Sequence, residues 1–516
     1  MNVLLYSNVY LWPEHISQLI ELAKINIKKK NKIFILTCDR SLISCPTNPL
    51  HDSSICKKCI IQKKHITSDI LENINEIPLD FKQPNFKFPK FKNLKDFMNY
   101  KYDNNLPAGE LVISTYSDQS RSCFLNFEEI EKECLVLANN AIGLYEKTKK
   151  IIQKNNIDQV YVWNGRRTSC GPVLYAAKKE NCEYFSYISA GSTDTYMLQP
   201  TLGVHNLDYW KKNIENNYNK FISINKKKYI SHGEDFFKYM RYGQGARSSG
   251  MPFFNDYFDN KIKIIPPINK NKKKIIIFTS SYWEFFALGK EFRKKNNSEV
   301  NHYELLKKIL EDNSINKLFD ISVRWHPNLS SAGKKEREVI NKIIDCTSIN
   351  TTHYRAESKI NSYKFIENSD IIISFGSTIG VEATYYGKPS ILLGVAYYED
   401  TGSVYNPKSY EEFIKLLNSN LAPLPKINAI KYGANEYYKG IKYLYIDRNK
   451  NHEWFSDGKN VLYRSKLNIC KRLIRISLSK IGILGYFKKG LTSFLYLIGK
   501  RKTKDMTPVK WLNTDI

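Results

Sequence analysis

Short apolar runs alternate with amphipathic stretches along the first half of the chain. The apolar run at residues 2–7 is followed by apolar positions at helical spacing over residues 16–27 and by a second apolar run at residues 32–37. This alternation is typical of βαβ units on a parallel sheet. It returns further along, where the pattern predicts helices and strands at 129–153, 159–163, 172–179 and 184–188. We therefore expect one α/β domain over residues 1–260.

A second alternating series begins after a segment with the composition of a linker. Residues 261–274 combine two prolines with a run of lysines, which is typical of a connection between domains. Beyond it the pattern predicts strands at 275–279, 321–325, 370–374 and 390–393, with helices at 303–311, 379–386 and 410–417. We expect a second α/β domain over residues 275–425, then an extension over residues 426–462. Two such domains form a cleft, in which ligands bind beyond the carboxyl ends of the strands.

The last segment, residues 463–516, is strongly basic. Residues 463–504 hold twelve Lys or Arg residues and no Asp or Glu, and apolar residues recur at helical spacing. This pattern predicts a basic amphipathic helix that binds an anionic membrane surface, or alternatively one that packs on the protein with a solvated basic face. No apolar stretch reaches the roughly 20 residues of a spanning helix. The first residues lack the pattern of a secretory signal, so we expect a cytoplasmic protein at the inner face of the cell membrane.

The charge of the whole chain favours an anionic partner. The 516 residues include 79 Lys or Arg and 51 Asp or Glu, which gives a formal net charge of +28. Such a field attracts nucleic acid, anionic lipid or nucleotide substrates. We find no recognised DNA- or RNA-binding module, and outside the last segment the basic residues are dispersed. A nucleic-acid-binding protein is therefore the less favoured, non-enzymatic alternative.

Residues 369–394 carry the strongest chemical signal. A buried strand leads into the small polar turn Gly376-Ser377-Thr378, and a helix follows it. Free N–H groups at a helix start bind phosphate, and the two hydroxyls add donors. Glu382, one turn into the helix, is expected to accept hydrogen bonds from ribose hydroxyls. The alternative is that Ser377 and Thr378 only cap the helix.

Further donors stand where two other strands of this domain end. Arg324 and His326 lie at the end of one predicted strand, while Ser280 and Ser281 follow the first one. The carboxyl ends of parallel strands meet at one edge of a sheet, so we expect these side chains to converge with the turn at 376–378 on one phosphate. For each of them the alternative is a structural role in a turn.

The pair His326-Pro327, followed by Ser377-Thr378, resembles the HP and S-S/T motifs of bacterial glycosyltransferases that use CMP-activated sugars. These families include capsular sialyltransferases and Kdo transferases. The longer run at 374–398 is similar to the Kdo-transferase domains of capsule assembly. The resemblance covers residues 275 to 420 and rests on short motifs.

This resemblance implies the GT-B fold, in which two Rossmann-like domains face a cleft and the C-terminal domain holds the nucleotide. It implies transfer of a sugar from a CMP-linked donor, or secondly a UDP-linked donor. The implied acceptor is a surface polysaccharide or a lipid-linked glycan, as in capsule and lipopolysaccharide biosynthesis. A nucleotide-sugar 2-epimerase on the same double fold and a glycerophosphotransferase of the teichoic-acid kind are the alternatives.

The catalytic base is where the sequence departs from the sialyltransferase pattern. Those enzymes carry an acidic motif ahead of HP, and this chain has only Gly233-Glu234-Asp235, in a different order. An inverting transferase needs a carboxylate or a His to deprotonate the acceptor hydroxyl. The candidates are Glu234, Asp235, Asp194 and His232. A retaining enzyme would not require such a base, so the stereochemistry stays open.

The segment 162–166 resembles one found in surface-polysaccharide biosynthesis proteins. It ends a predicted strand with Asn164 and Arg166. An amide and a guanidinium at a strand end could bind an acceptor sugar or a carboxylate. The alternative is a turn with a solvated Arg.

Four cysteines form a separate group near the N-terminus. Cys38, Cys45, Cys56 and Cys59 follow the spacing C-x6-C-x10-C-x2-C, in a loop rich in Pro, Asn and Ser. Four thiolates suit a tetrahedral zinc site, and the last pair is a common half-site. The alternatives are unliganded thiols, redox chemistry or an iron–sulfur cluster. We expect a structural zinc to hold loop 38–59 together and expect no catalytic metal.

Overall fold

The structure is a computed structural model, and it describes residues 1–190, 194–242, 272–295, 298–299, 301–349, 351–358, 360–449 and 452–463. The expected linker therefore falls outside the described residues up to position 271, and so does the basic segment from position 464 onward. Over the part of the chain described, no helix is both long enough and apolar enough to cross a bilayer.

The N-terminal sheet has seven strands in the order β14-β6-β5-β4-β1-β2-β3. The pairings among β1 to β5 are parallel, whereas β6 and β14 are antiparallel additions at one edge. The strands are β1 (Asn2–Tyr6), β2 (Lys32–Thr37), β3 (Ile74–Pro78), β4 (Gln159–Trp163), β5 (Glu183–Ser189), β6 (Thr195–Gln199) and β14 (Ile441–Lys442).

Helices cover both faces of this sheet. Alternate residues of a strand point to opposite faces, so Leu4 and Val160 pack in one apolar cluster while Val3 and Ile33 pack in another. The helices of this half are α1 (Pro13–Lys28), α2 (Ser53–Lys64), α3 (Leu94–Met98), α4 (Ala108–Ser120), α5 (Phe127–Asn155) and α6 (Gly171–Lys179). A π-helical turn at His65–Ile70 continues α2.

The C-terminal sheet has five parallel strands in the order β11-β10-β7-β12-β13. They are β7 (Lys273–Phe278), β10 (Phe319–Arg324), β11 (Thr351–Tyr354), β12 (Ile371–Ser374) and β13 (Ser390–Leu392). Outside this sheet, β8 (Lys294–Lys295) and β9 (Ser298–Glu299) pair antiparallel with each other. The central strand is β7, so the strand ending at Arg324 and the strand before Gly376 are both neighbours of β7 and are not paired with each other.

The helices of this half also cover its sheet on two sides. Ile275 and Ile277 pack in one apolar cluster, and Ile276 and Phe278 pack in another. The helices are α9 (Tyr282–Leu288), α10 (Lys290–Arg293), α11 (His302–Glu311), α12 (Asn313–Leu318), α13 (Lys334–Thr347), α14 (Ser362–Glu367), α15 (Ile379–Tyr385) and α16 (Tyr410–Leu417), with a 3-10 turn at Pro327–Ser331.

Three helices and a returning segment connect the two halves. The helices are α7 (Leu207–Ile224), α8 (Lys226–Tyr242) and α17 (Lys426–Tyr438). Gly233 on α8 lies against Ile430 on α17, where a Cβ atom would come within 2.7 Å of the isoleucine side chain. After α17 the chain returns to the N-terminal sheet as β14 and forms a small sheet of β15 (Asp447–Arg448), β16 (Trp454–Ser456) and β17 (Lys459–Asn460). The prediction of two α/β domains is confirmed, with a parallel C-terminal sheet and an N-terminal sheet that is parallel except for β6 and β14.

Candidate functional site

His326 lies where β10 ends and is bound to the end of β7. Its backbone N–H donates to Thr279 Oγ1 at 2.9 Å, and its Nδ1 lies 3.1 Å from Ser281 Oγ. The backbone N–H of Asn328 donates to the same Nδ1 at 3.2 Å. Burial, followed by the positive charge of Arg324, lowers the pKa of His326 to about 4. In a neutral ring whose Nδ1 accepts a hydrogen bond, Nε2 carries the proton, so His326 can donate from Nε2.

Glu284 stands beside this histidine, and we did not predict it from the sequence. It lies in the first turn of α9, and its Oε1 accepts a hydrogen bond of 3.0 Å from Asn328 Nδ2. Burial raises the pKa of Glu284, and among the charges that act on it are Arg166 and Asp118 of the N-terminal half. In the sequence, the sign of this residue was its position three residues after Ser281, the serine that follows a predicted strand.

The turn Gly376-Ser377-Thr378 follows β12 and packs on α9. At Gly376 the φ angle is +109°, and a Cβ atom there would lie 2.7 Å from both the Phe285 ring and the carbonyl oxygen of Val395. The carbonyl of Ser377 accepts hydrogen bonds from Ser374 Oγ at 3.1 Å and from Tyr398 Oη at 2.5 Å. Ser377 and Thr378 are both partly exposed. The ends of β10, β7 and β12 thus meet at one edge, with β7 between the other two.

Three of the predicted nucleotide-binding residues have internal partners instead. The guanidinium of Arg324 is buried and donates to the carbonyl oxygens of Arg355 and Ser358. The Glu382 carboxylate is only 2% exposed and accepts a hydrogen bond from Tyr363. These contacts give Arg324 and Glu382 structural roles, which corrects the expectation that they contact the phosphate and the ribose.

Ser280 is the third of these residues. Its hydroxyl lies 3.0 Å from His302 Nδ1, and both side chains are buried beneath α9. Ser280 therefore holds the start of α11 against the end of β7. Of the two serines predicted at this strand end, Ser281 is the one that contacts His326.

In the N-terminal half, two arginines after β4 hold the carboxylate of Asp118. Arg166 Nη2 lies 3.0 Å from Asp118 Oδ1, and Arg167 Nη2 lies 2.6 Å from Oδ2. Burial alone would raise the pKa of Asp118, but the two guanidinium charges outweigh it and lower the pKa. Asn164 is buried with φ +61°, and its Oδ1 accepts a hydrogen bond from the backbone N–H of Arg166. Asn164 shapes this turn, and Arg166 is the residue that lines a cavity.

That cavity lies between the two halves and has a volume of about 420 Å³. Residues from both halves line it: Asn105, Arg166, Tyr175, Lys178, Lys290 and Glu291 are among them. His205 lines it as well, and burial, followed by the charges of Arg166 and Arg167, lowers the pKa of this histidine to about 3. The cavity is large enough for a sugar unit and has several cations at its wall.

The four predicted catalytic bases lie elsewhere. Glu234 pairs with Lys426 at 3.2 Å, and Asp235 lies on the same helix, α8, facing Lys238. His232 stacks on Tyr437 and its Nδ1 lies 3.0 Å from the Tyr438 hydroxyl oxygen.

Asp194 directly precedes β6, and its carbonyl oxygen accepts a hydrogen bond from the backbone N–H of Tyr443. None of these four residues is among those lining the described cavity between the halves. These positions do not support Glu234, Asp235, Asp194 or His232 as the base. Glu284 and Asp118 are not among the residues lining this cavity either, but the charge of Asp118 in the N-terminal half acts on Glu284 in the C-terminal half.

The predicted metal ligands Cys38, Cys45, Cys56 and Cys59 line one small cavity at the carboxyl ends of β1 and β2. All four are free thiols and partly buried. Within the described ranges, no set of three or more His, Cys, Asp or Glu side chains already has an arrangement that could hold a metal ion. The structure thus brings the four sulfurs to one cavity without a preformed ligand geometry.

In the comparison with known proteins, a family model matches part of the chain. No curated protein matches the sequence. Among solved structures, the beta Kdo 2,4 transferase KpsC of Thermosulfurimonas dismutans is 15% identical over 62% of this chain and 88% of its own, with a TM-score of 0.34. The UDP-GlcNAc 2-epimerase of Neisseria meningitidis is 13% identical over 85% of this chain and 99% of its own, with a TM-score of 0.29.

MurG of Acinetobacter baumannii is 10% identical over 85% of this chain and 94% of its own, with a TM-score of 0.26. At such values we transfer no reaction from these proteins to this chain. A family model described as "Capsule polysaccharide biosynthesis protein" matches residues 262–415, a range that includes His326 and the turn at 376–378. This segment of the chain is therefore similar to the capsule polysaccharide biosynthesis family.

Proposed function

We propose that this protein is a glycosyltransferase that moves a sugar from a nucleotide-sugar donor to a surface polysaccharide or a lipid-linked glycan. The observation that carries the proposal is the meeting of three strand ends at one edge of the C-terminal sheet. His326, Ser281 and the turn at 376–378 lie at this edge, and a separate cavity between the two halves is lined by residues of both. The match of this segment to a capsule biosynthesis family supports the same class of reaction.

The donor phosphate binds at the edge of the C-terminal sheet in this proposal. His326 donates from Nε2, and the hydroxyls of Ser377 and Thr378 supply further donors. As the sugar leaves, negative charge grows on the phosphate oxygen, and donors held in place before the reaction stabilise that charge. The resemblance of the HP and S-S/T motifs favours a CMP-linked donor, for example one carrying Kdo or a sialic-acid-like sugar, and a UDP-linked donor is the second choice.

Glu284 acts as the general base in a single displacement. Its carboxylate takes the proton of the acceptor hydroxyl while the acceptor oxygen bonds to the anomeric carbon. The bond from that carbon to the phosphate oxygen breaks, and its electron pair leaves with the nucleotide. Glu284 and Asp118 belong to different halves and act on each other electrostatically, and Glu284 has the raised pKa whereas Asp118 has the lowered one. A carboxylate with a higher pKa is the stronger base, whereas Asp118 is occupied by two arginines.

Arg166 and the cavity that it lines receive the acceptor. The acceptor is a growing glycan, and a lipid-linked one fits a basic C-terminal segment that binds the anionic inner face of the membrane. In this scheme no step is assigned to nucleic acid.

The decisive experiment measures binding and transfer with the full chain. CMP and UDP are tested in a thermal-shift assay, and CMP-, UDP- and CDP-linked donors are tested for release of the nucleotide with and without glycan acceptors. We expect one nucleotide to stabilise the protein and the double variant His326→Ala, Ser377→Ala to lose most of that shift. A protein that no nucleotide stabilises would refute the proposal. Interconversion of a UDP-sugar without an acceptor would support an epimerase instead.

A further inference from the structure

Four cysteines surround a cavity that the proposed reaction does not use. Cys38 directly follows β2, Cys45 lies in the loop after it, and Cys56 and Cys59 lie three residues apart, on one face of α2. The cavity has a volume of about 30 Å³. Such a space holds one ion or one or two water molecules and is too small for an organic cofactor.

We propose that Cys38, Cys45, Cys56 and Cys59 bind one zinc ion as four thiolates. Four sulfur ligands are the usual set of a closed, structural zinc site, which leaves no open position for a substrate. The proposal is independent of the nucleotide site and assigns the metal no part in the reaction.

Two N–H groups already point at the sulfurs. The backbone N–H of Arg40 donates to Cys38 Sγ at 3.4 Å, and the side-chain amide of Asn48 donates to Cys56 Sγ at 3.2 Å. Hydrogen bonds of this kind stabilise a charged sulfur and orient it, as the outer contacts of metal ligands do. Both donors belong to the loop that the ion would close.

The sulfurs must move toward the ion, since no preformed ligand arrangement is present in the described residues. A change of side-chain rotamer is cheap compared with the binding free energy of zinc to four thiolates. Cys45 has alternative polar contacts to give up, at 3.4 Å from Thr47 Oγ1 and 4.0 Å from the carbonyl oxygen of Asn48. Both contacts are weak, so the ion outcompetes them.

The zinc ion would fix one wall of the cleft. The loop before α2 contacts α4, the helix that carries Asp118, through a hydrogen bond of 2.7 Å from Gln119 Nε2 to Ser44 Oγ. It also contacts α5, where Asn140 Nδ2 donates to the carbonyl oxygen of Ser41 at 2.9 Å. Anchoring the loop therefore anchors the position of Asp118 and, through it, of Arg166.

The test measures metal content in the full-length protein, purified without chelators. We expect about one zinc per chain by mass spectrometry. The double variant Cys56→Ser, Cys59→Ser is expected to lose the zinc and to melt at a lower temperature. The variant Cys346→Ser changes an exposed cysteine on α13 and serves as the matched control, with zinc content and melting temperature unchanged.

Two readouts on the native chain remain decisive if the double variant does not fold. A thiol-specific mercurial should release the zinc, which a chromogenic chelator then reports. Cobalt(II) exchanged into the site should give the intense sulfur-to-metal charge-transfer absorption of a tetrathiolate centre. A native protein that contains no zinc and takes up neither metal would overturn the proposal, as would full zinc content in the double variant.

Discussion

Glu284 and His326 are bound by the same residue, because Asn328 donates its side-chain amide to the Glu284 carboxylate at 3.0 Å and its backbone N–H to His326 Nδ1 at 3.2 Å. Glu284 lies on α9, the helix that follows β7, and His326 follows β10, the strand paired with β7. In the proposed reaction one takes the acceptor proton and the other stabilises the leaving phosphate. Asn328 therefore fixes the distance between the proposed base, Glu284, and the proposed phosphate-binding group, His326.

Replacing Glu284 with Gln should abolish transfer while leaving nucleotide binding intact. Loss of a general base lowers kcat by about 10²- to 10⁴-fold. Burial raises the pKa of Glu284, so wild-type activity should fall as the pH drops through a value above that of an ordinary Glu, since the base must be ionised. The measurement is kcat against pH for both proteins, with the nucleotide Kd as the binding control.

Asp118→Asn provides the comparison for that experiment. It removes a carboxylate that two arginines hold, so we expect weaker acceptor binding, seen as a higher KM for the acceptor. The acid limb of the pH profile should persist in this variant. If the limb disappears in Asp118→Asn and persists in Glu284→Gln, the two roles are reversed.

His326 should bind the donor as a neutral group. Its pKa is lowered to about 4, so the ring stays uncharged from about pH 5.5 to 8. The affinity for a CMP-sugar, whose phosphodiester does not titrate in this range, should therefore be constant. His326→Ala should lower that affinity by about 10- to 100-fold, the usual range for a hydrogen bond to a charged group. Calorimetric titration at several pH values tests both, and a steep gain in affinity below about pH 6.5 would show a charged imidazole.

Gly376→Ala should damage the nucleotide site. The new Cβ would meet the Phe285 ring and the Val395 carbonyl oxygen at 2.7 Å, at a φ angle of +109° that L-residues rarely adopt. We expect at least about a tenfold loss of nucleotide affinity, equivalent to about 1.4 kcal/mol. Gly387→Ala is the control, because Gly387 also has a positive φ but nothing lies within 4 Å of its Cβ position. Equal losses in the two variants would mean that backbone strain alone is responsible.

Glu336 should be a major contact between the two halves. Its buried carboxylate accepts hydrogen bonds from Tyr303 Oη at 2.5 Å and from the backbone N–H of Cys123 at 3.0 Å. Glu336→Ala leaves both donors without this partner, so the free energy of unfolding should fall by about 2–4 kcal/mol. Lys335 also reaches across, to Glu129, but both side chains are exposed, and Lys335→Ala should change nothing measurable in the same denaturation experiment.

The basic segment should carry membrane binding. The full chain is expected to sediment with vesicles that contain anionic lipid and to stay in solution with neutral vesicles. A chain that ends at residue 463 should remain in solution with both. High salt should release the full chain, since the attraction is electrostatic. Sedimentation of the shortened chain with anionic vesicles would place the binding surface elsewhere, and a shift of random oligonucleotides lost on truncation would favour nucleic-acid binding.

The local pattern of apolar residues was sufficient to predict the two sheets and the site at the carboxyl ends of their strands. The alternation of apolar residues in β1, β2, β7 and β12 depends only on the neighbouring chain, and a parallel sheet brings its carboxyl ends together. His326 and Ser281 are in contact for that reason. The antiparallel strand β6 was not predicted, because the apolar pattern does not show that its direction is opposite to that of β5.

The remaining site residues depend on contacts between distant segments. From the sequence, Glu382 was expected to bind ribose hydroxyls. In the structure its carboxylate accepts a hydrogen bond from Tyr363 on another helix. Asp118 gave no signal, because its two arginines lie 48 and 49 positions later in the chain. Glu284 gave only its position three residues after Ser281, since the charges that act on it come from the other half of the molecule. Burial and long-range charge pairing are set by the assembled fold, so spacing alone does not reveal them.

The N-terminal sheet begins to be synthesised first, but it is completed only by residues near the end of the described chain. The N-terminal sheet takes β14 from residues beyond position 440, and Gln62 on α2 donates a hydrogen bond to the carbonyl oxygen of Val461. The first half to leave the ribosome therefore keeps an unfinished edge until the second half has been synthesised. Cutting the gene between the two sheets would yield a first fragment with an open strand edge, which is prone to self-association.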